Sequence, residues 1–209
     1  MLITLSRQYA AGGSRIARLV ADSLGWQLVD NEFVEQVAER AGLTPEEVAA
    51  REEKPPSLIE RLANVTAFEL PELFTHGGVR ERLDEGSLEQ VTRSLVKDLA
   101  EQGNSVLVGR ASAAVLARRE DALHVRVVAG TEFRERHAQE AFGMTPQAAA
   151  QRRAEVDANR KRYHQDYYDR NVDDPTHYDL VLNSERLGWE GSAEVLVGRC
   201  RFLGWTAQS

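Results

Sequence analysis

Residues 7–15 read Arg-Gln-Tyr-Ala-Ala-Gly-Gly-Ser-Arg, a set of types suited to holding a phosphate. Gly12 and Gly13 permit positive φ and let backbone N–H groups come close to a ligand. Ser14 offers a hydroxyl to Mg2+, and Arg7 or Arg15 offers a positive charge. An apolar run at residues 2–6 precedes the stretch and a helical pattern at residues 14–24 follows it. A helix opening on such a turn adds roughly half a positive charge at its N-terminus. Yet the phosphate-loop consensus G-x-x-x-x-G-K-[ST] is broken. With Gly12 as the second glycine, the first glycine becomes Arg7 and the lysine becomes Gly13, while the hydroxyl survives as Ser14. A rebuilt phosphate site fits this segment. So does a plain turn in which Ser14 caps the helix and Arg15 is solvated.

Three further groups could share that chemistry. Gly109-Arg110 ends the apolar run Val106-Leu107-Val108, and an arginine there could grip a phosphate or carboxylate bidentately. Asp30 ends the run before it and could accept hydrogen bonds from a sugar or base, or cap a helix opening at Asn31. The basic-aromatic segment from Asp157 to Tyr168 contains Arg160, Lys161 and Arg162, with Arg153 about a turn upstream of Asp157. Arginines on a lid suit phosphoryl transfer, whose transition state spreads negative charge over the moving phosphate. A solvated helix with internal ion pairs is the alternative. The five histidines (76, 124, 137, 164 and 177) lack metal-ligand spacing, and Cys200 falls on an apolar helix face.

The elements that must position these groups alternate. Strand-like runs occur at residues 2–6, 27–29, 105–108, 123–128 and 178–182, apolar at successive positions as in strands covered on both faces. Helical patterns occupy residues 14–24, 31–40, 86–102, 112–117, 131–142 and 191–202. Thr44-Pro45 and Thr145-Pro146 both place a capping residue before proline at a first helical position. This alternation predicts a parallel α/β sheet with right-handed crossovers, its ligands gathering at the carboxyl ends of the strands. Two segments exceed plain crossovers, residues 44–86 and 144–175. Long excursions of this kind serve as lids or substrate-binding insertions.

Composition narrows the field. The 209 residues suit one domain, and 42% hydrophobic residues suffice for a core. A net charge of −7 argues against a general nucleic-acid or anionic-membrane surface while leaving room for a local basic pocket. The single cysteine excludes an internal disulfide and suits a reducing cytosol. No apolar run approaches the roughly 20 residues that span a bilayer. The first strand follows Met1 directly, leaving no room for a signal peptide, so a cytoplasmic location is expected.

Taken together, these motifs resemble the cytidylate kinase-like family, a divergent branch of the P-loop nucleoside monophosphate kinases. The residues that carry the resemblance run nearly end to end. They are Ile3-Thr-Leu-Ser-Arg-Gln with Gly12-Gly13-Ser14-Arg15-Ile16-Ala17, Leu28-Val-Asp30-Asn-Glu, Gly42-Leu-Thr44 and Glu53-Lys54-Pro55-Pro56-Ser57. Beyond them come Val108-Gly109-Arg110-Ala111, Arg160-Lys-Arg-Tyr163-His-Gln-Asp-Tyr167-Tyr168, Asp174-Pro175, Tyr178-Asp179-Leu180, Asn183-Ser184 and Leu187-Gly188.

The resemblance implies a three-layer α/β sandwich with a five-stranded parallel sheet, formed by residues 1–30, 103–143 and 173–209. It implies an acceptor-binding insertion near residues 31–102 and a lid near 144–172. ATP, with Mg2+ held by Ser14, would lie on Arg7, Gly12, Gly13, Ser14 and Arg15. Its adenine would lie by Asn183 and Ser184, and a CMP or dCMP acceptor on Asp30 and Arg110. Arg15, Arg153, Arg160 and Arg162 would act on the transferring phosphate. The partner is then a small nucleotide, neither nucleic acid nor membrane, with a homo-oligomer allowed. Ordinary nucleoside monophosphate kinases keep the loop lysine, and many have an aspartate before the Gly-Arg pair, where this chain has Gly13 and Val108. A kinase of another small metabolite and a nucleotide-binding regulatory protein with little turnover are the alternative functions.

Overall fold

The computed structural model describes residues 1–30 and 85–205. The chain divides into two units, residues 1–30 with 96–209 and residues 31–95. Of the second unit, the described residues form the first part of one helix. The predicted helix at 31–40 and all but the last two residues of the excursion at 44–86 lie outside the described residues.

Five strands make the sheet: β1 Leu2–Arg7, β2 Gln27–Val29, β3 Ser105–Val108, β4 Ala122–Val128 and β5 Leu180–Asn183. Their order is β2-β3-β1-β4-β5 and every pairing is parallel. The helices are α1 Gly13–Leu24, α2 Glu85–Gln102, α3 Ser112–Val115, α4 Thr131–Phe142, α5 Pro146–Tyr168 and α6 Ser184–Phe202. This is the α/β fold of the P-loop kinases. The chain leaves β1 toward β2 on one side and later crosses from β3 to β4 on the other. The β1/β3 crevice is therefore the switch point of the sheet, where parallel sheets collect ligands.

Burial explains the strand composition. Leu2, Ile3, Thr4 and Leu5 of the central strand are all fully buried, so β1 has no solvent-facing side to mark with polar residues. Ile3, Leu5, Val106, Val125 and Val127 join one core with Ile16, Ala17, Val20 and Leu24 of α1 and with Ala193, Leu196, Val197 and Cys200 of α6. Burial pushes the Cys200 thiol up to about 11, which leaves it an inert packing group. The sheet's other residue set is partly polar. Thr4 and His124 are register partners joined by a 2.7 Å Oγ1–Nδ1 hydrogen bond, and Arg126 donates to its partner Ser6 at 2.9 Å.

Beyond shifts of one or two residues at the ends of β1, α1, α2, α3 and β4, three elements differ from the sequence expectation. Residues 146–168 form one helix of 23 residues, opened by Thr145, whose side chain accepts from Ala148 N, and by Pro146. Its buried positions are Ala149, Val156, Asn159 and His164, too few and too mixed in polarity to give an apolar helical stripe. α6 starts at Ser184 rather than 191 and is broken at Gly188, whose φ of 70° and ψ of 172° suit glycine alone. β5 starts at Leu180 rather than 178, because Tyr178 and Asp179 finish a 3-10 turn at Pro175–His177 and the Asp179 carboxylate takes the His124 N–H at 2.7 Å.

Candidate phosphoryl-transfer site

At the end of β1 the chain turns into α1 through residues 8–12. Ala10 and Gly12 sit at positive φ, 56° and 79°. The turn is strapped from outside. Gln8 N donates to Val127 O at 3.0 Å, its side-chain oxygen accepts from Ala129 N at 3.1 Å, and Ser184 Oγ donates to Ala11 O at 2.7 Å. His137 Nδ1 bonds the Ala10 carbonyl at 2.8 Å. With these two carbonyls tied back, the start of α1 carries no side-chain cap at Gly12, and its first turn holds no acid. An anion can therefore take the helix N-terminus without competition from a resident carboxylate.

Arg7 explains both departures from the phosphate-loop consensus. Its side chain runs from β1 past Gly13 to Gly109. A Cβ on Gly13 would lie 2.8 Å from Arg7 Cβ, and one on Gly109 would collide with the guanidinium, 3.0 Å from Cζ. A lysine at 13 and an arginine at 7 thus compete for the same volume. The end of the strand holds a positive charge, where the consensus would put one on the first turn of the helix.

That charge stands in company. Arg7 lies 4.0 Å from Asp30 at the end of β2. Burial and nearby Arg126 hold its pKa below the ordinary value, against the pull of Asp30. Arg110, in the left-handed region at φ 53°, is lowered to about 10 by burial and by Arg7. Arg160 of α5 is lowered to about 9 by burial and then by Arg7, Arg126 and Arg110, while Asp157 opposes the shift. Guanidinium groups do not lose their protons under such conditions, so the depression reflects first their desolvation and then their mutual repulsion, and an anion would offset both.

The long helix α5 is pinned over this cluster. Arg160 Nη1 donates to Arg7 O at 3.0 Å. One turn earlier, Asp157 accepts from Tyr9 N at 2.9 Å and from Arg134 at 2.5 Å. Arg134, buried on α4, also donates to Ala129 O at 3.1 Å and Tyr9 O at 3.3 Å. Behind them Arg126 pairs with Asp173, which Lys161 also reaches at 2.7 Å. The site thus joins three strand ends, the uncapped helix N-terminus and a basic helix.

The family model of the cytidylate kinase-like family matches residues 2–186. This chain belongs to that family. A cytidylate kinase of Archaeoglobus fulgidus is 25% identical over 198 residues, 94% of this chain and 93% of that one. An uncharacterized protein from Eubacterium ventriosum has a similar crystal structure, with a TM-score of 0.69 at 15% identity over 96% of this chain and 98% of that chain. A shikimate kinase from Bacteroides thetaiotaomicron follows the same fold, with a TM-score of 0.52, 15% identity and 97% of each chain covered. Membership in a kinase-like family supports a phosphotransferase, and the nucleotide-binding fold agrees with it.

The candidate residues of this kinase-like chain fall into three groups. Arg7, Gly12, Gly13, Asp30, Arg110 and Arg160 meet at the carboxyl end of the sheet. Ser14 is exposed at the start of α1. Arg15 turns away from the cluster and is paired at 3.0 Å with Glu190. The others are engaged within the scaffold. Arg153 pairs with Glu135 of α4 at 2.8 Å, and exposed Arg162 donates to Asn159 at 2.7 Å. Asn183 caps α6 by accepting from Glu185 N and Arg186 N, while the Ser184 hydroxyl straps the loop. Arg126, Arg134 and Trp189 carry no motif and were not legible as site residues. The only signal for Arg126 and Arg134 is charge at positions whose strand or helix pattern makes them buried.

Proposed function

We propose that this protein is a nucleoside monophosphate kinase that transfers the γ-phosphate of ATP to a pyrimidine nucleotide, CMP or dCMP. The observation that carries the proposal is the crowding of Arg7, Arg110 and Arg160, with Arg160 bonded to Arg7 O, beside the uncapped N-terminus of α1. One anionic group would be served by a helix end and a single lysine. Two anionic substrates meeting head-on need more positive charge, and phosphoryl transfer between nucleotides is such a meeting.

In this reading the backbone of Gly12–Ser14 holds the ATP phosphates, and Arg7, rather than Arg15, supplies the charge that lysine gives elsewhere. Arg110 and Asp30 take the acceptor's phosphate and sugar. Arg160, held by Arg7 O and steadied through Asp157, neutralises the phosphoryl group in flight. Residues 31–102 serve as the acceptor-binding part and 144–172 as the lid. Asn183 and Ser184 then shape the donor side through the loop they brace.

Mg2+ enters with ATP as part of the substrate. Among the described residues no cluster of three His, Cys, Asp or Glu could hold a metal ion. The exposed Ser14 hydroxyl at the uncapped helix end is a hard oxygen donor, which suits an ion that keeps phosphate oxygens and waters as its other ligands. Its chemistry would be charge neutralisation on the phosphates.

The test is ADP release from Mg-ATP with a panel of nucleoside monophosphates, other small hydroxyl- and phosphate-bearing metabolites, and a no-acceptor control. Turnover selective for CMP or dCMP is expected. Selective turnover of a different metabolite replaces the acceptor assignment. ATP binding by calorimetry with no turnover on any acceptor would make the protein a nucleotide sensor and overturn the proposal.

A further inference from the structure

The break at Gly188 re-aims α6 and delivers Trp189 onto the phosphate loop. A Cβ on Gly12 would collide with the indole, 2.7 Å from its Cδ1. Gly13 faces Arg7 and Gly12 faces Trp189, so the arginine cluster and the indole flank the loop on two sides. The Arg15 guanidinium stacks on the indole at 4.3 Å from the ring centroid, and Glu190, the next residue after Trp189, holds that guanidinium at 3.0 Å. His137, already bonded to Ala10 O, packs against the same indole with centroids 5.1 Å apart and planes at 52°.

This assembly is costly for a mere wedge. Trp189 Nε1 is buried with no hydrogen-bond partner, a penalty that phenylalanine or leucine would avoid. The polar groups expected to face the base are committed elsewhere, the Asn183 side-chain oxygen to two backbone N–H groups and the Ser184 hydroxyl to the loop. What remains beside the loop, on the side away from Arg7, is a flat aromatic face with a flat cation upon it. Base–aromatic stacking is stronger than an exposed guanidinium–aromatic contact, so a base can displace Arg15 or slide beneath it.

We propose that Trp189 is the stacking platform for the base of the donor nucleotide, with Arg15 as the opposite wall, and that the donor is a purine nucleoside triphosphate read by its π-face with little discrimination between purines. The inference rests on the reading of Gly12–Ser14 as the triphosphate site. Its γ-end faces the arginine cluster, so the nucleoside end leaves on the Trp189 side.

The experiment compares Mg-ATP, Mg-GTP and Mg-tripolyphosphate, the last being the same charge without a base. Tryptophan emission and calorimetry follow binding to the full chain and to its Trp189→Leu and Trp189→Phe variants. Trp26 and Trp205 pack on each other with centroids 6.5 Å apart and report as an unchanged background. ATP and GTP should quench wild-type emission and tripolyphosphate should not. Trp189→Leu should weaken ATP about 10- to 100-fold while leaving tripolyphosphate affinity unchanged, and Trp189→Phe should retain most ATP affinity. Equal weakening of ATP and tripolyphosphate in Trp189→Leu would show that the indole only props the loop. Unchanged emission on ATP binding would equally overturn the platform. If wild-type protein bound neither compound, the triphosphate site itself would fall, a separate and recognisable failure.

Discussion

Two arginines flank the loop between β1 and α1 and live in opposite circumstances. Arg7 is threaded past Gly13 into a crowd of like charges, with Asp30 at 4.0 Å as its carboxylate neighbour. Arg15 lies on the surface, paired with Glu190 and stacked on Trp189. Both stand close to the missing lysine in sequence, and the sequence motif treats them alike. Physics does not. A desolvated guanidinium among others pulls hard on an arriving anion, whereas a solvated one with its own carboxylate gains little. Under the proposed function, charge for the chemistry would therefore belong on the Arg7 side, and base recognition on the Arg15 side.

The sharpest way to break that division is to remove charge from each side in turn. Arg160→Ala, or Arg7→Ala, should lower kcat by a factor of roughly 10³, the scale of a lost transition-state donor. Arg15→Ala should leave kcat within a few-fold and act on the ATP KM. If Arg15→Ala carried the kcat loss and Arg7→Ala did not, the two regions would have to exchange roles. Steady-state kinetics with both substrates varied decides it.

A second test uses the competition for space. Gly13→Ala places a Cβ 2.8 Å from Arg7 Cβ, and overpacking of this kind costs about 1–3 kcal/mol. Gly13→Lys should be worse, and the double change Arg7→Gly with Gly13→Lys should recover much of the loss. Denaturant melts of wild type, Arg7→Gly, Gly13→Lys and the double change give the coupling energy directly. Additive losses would mean that the two positions are independent, and the placement of the charge at position 7 would lose its physical basis.

What the sequence revealed, and what it hid, follows from the range of the forces involved. β2 and β3 could be read to the residue because their apolar runs end at turn residues such as Gly109. α1 could be read because Ile16, Ala17, Val20 and Leu24 recur on one face. The meeting of Arg7, Arg110 and Arg160 was legible only as three basic residues after strand ends or on a helix. Their crowding depends on the strand order, which no local pattern states. α5 was obscured because its buried residues include Asn159 and His164, so its inner face looks polar. Trp189 was invisible for a different reason. Its placement hangs on one non-helical φ/ψ at Gly188, inside α6 and ahead of residue 191, where the sequence pattern begins the helix.

The deep cluster should also announce itself in stability. His164 lies beside Arg126, Arg170 and Arg160, and burial first, then those charges, press its pKa down to about 4. The unfolded chain, with histidine near 6.5, binds this proton more readily than the folded one. Stability should be fully present above about pH 6.5 and fall as pH drops toward 4. The loss is at most roughly 3 kcal/mol by linkage over that shift. His124 is depressed in the same direction, by burial first, so His164→Gln should flatten the acid limb without abolishing it. Thermal melts from pH 4 to 8 make the comparison. An unchanged acid limb in His164→Gln would show that neither burial nor the arginines depress this ring.

The surface side should answer quietly. Glu190 is held below its usual carboxylate range by its own backbone N–H and by Arg15, yet it is open to solvent. Exposed pairs of this kind contribute little because water and salt screen them. Glu190→Gln should leave the melting temperature unchanged within error and alter ATP affinity by less than about twofold, since its work is to aim a guanidinium that Trp189 already holds. The effect should shrink further in 0.5 M salt. A large loss of ATP affinity would mean that the carboxylate, and not the indole, fixes Arg15. The opposite wall of the base slot would then depend on charge rather than on stacking, and the contrast between the two sides of the loop would narrow to one of burial alone.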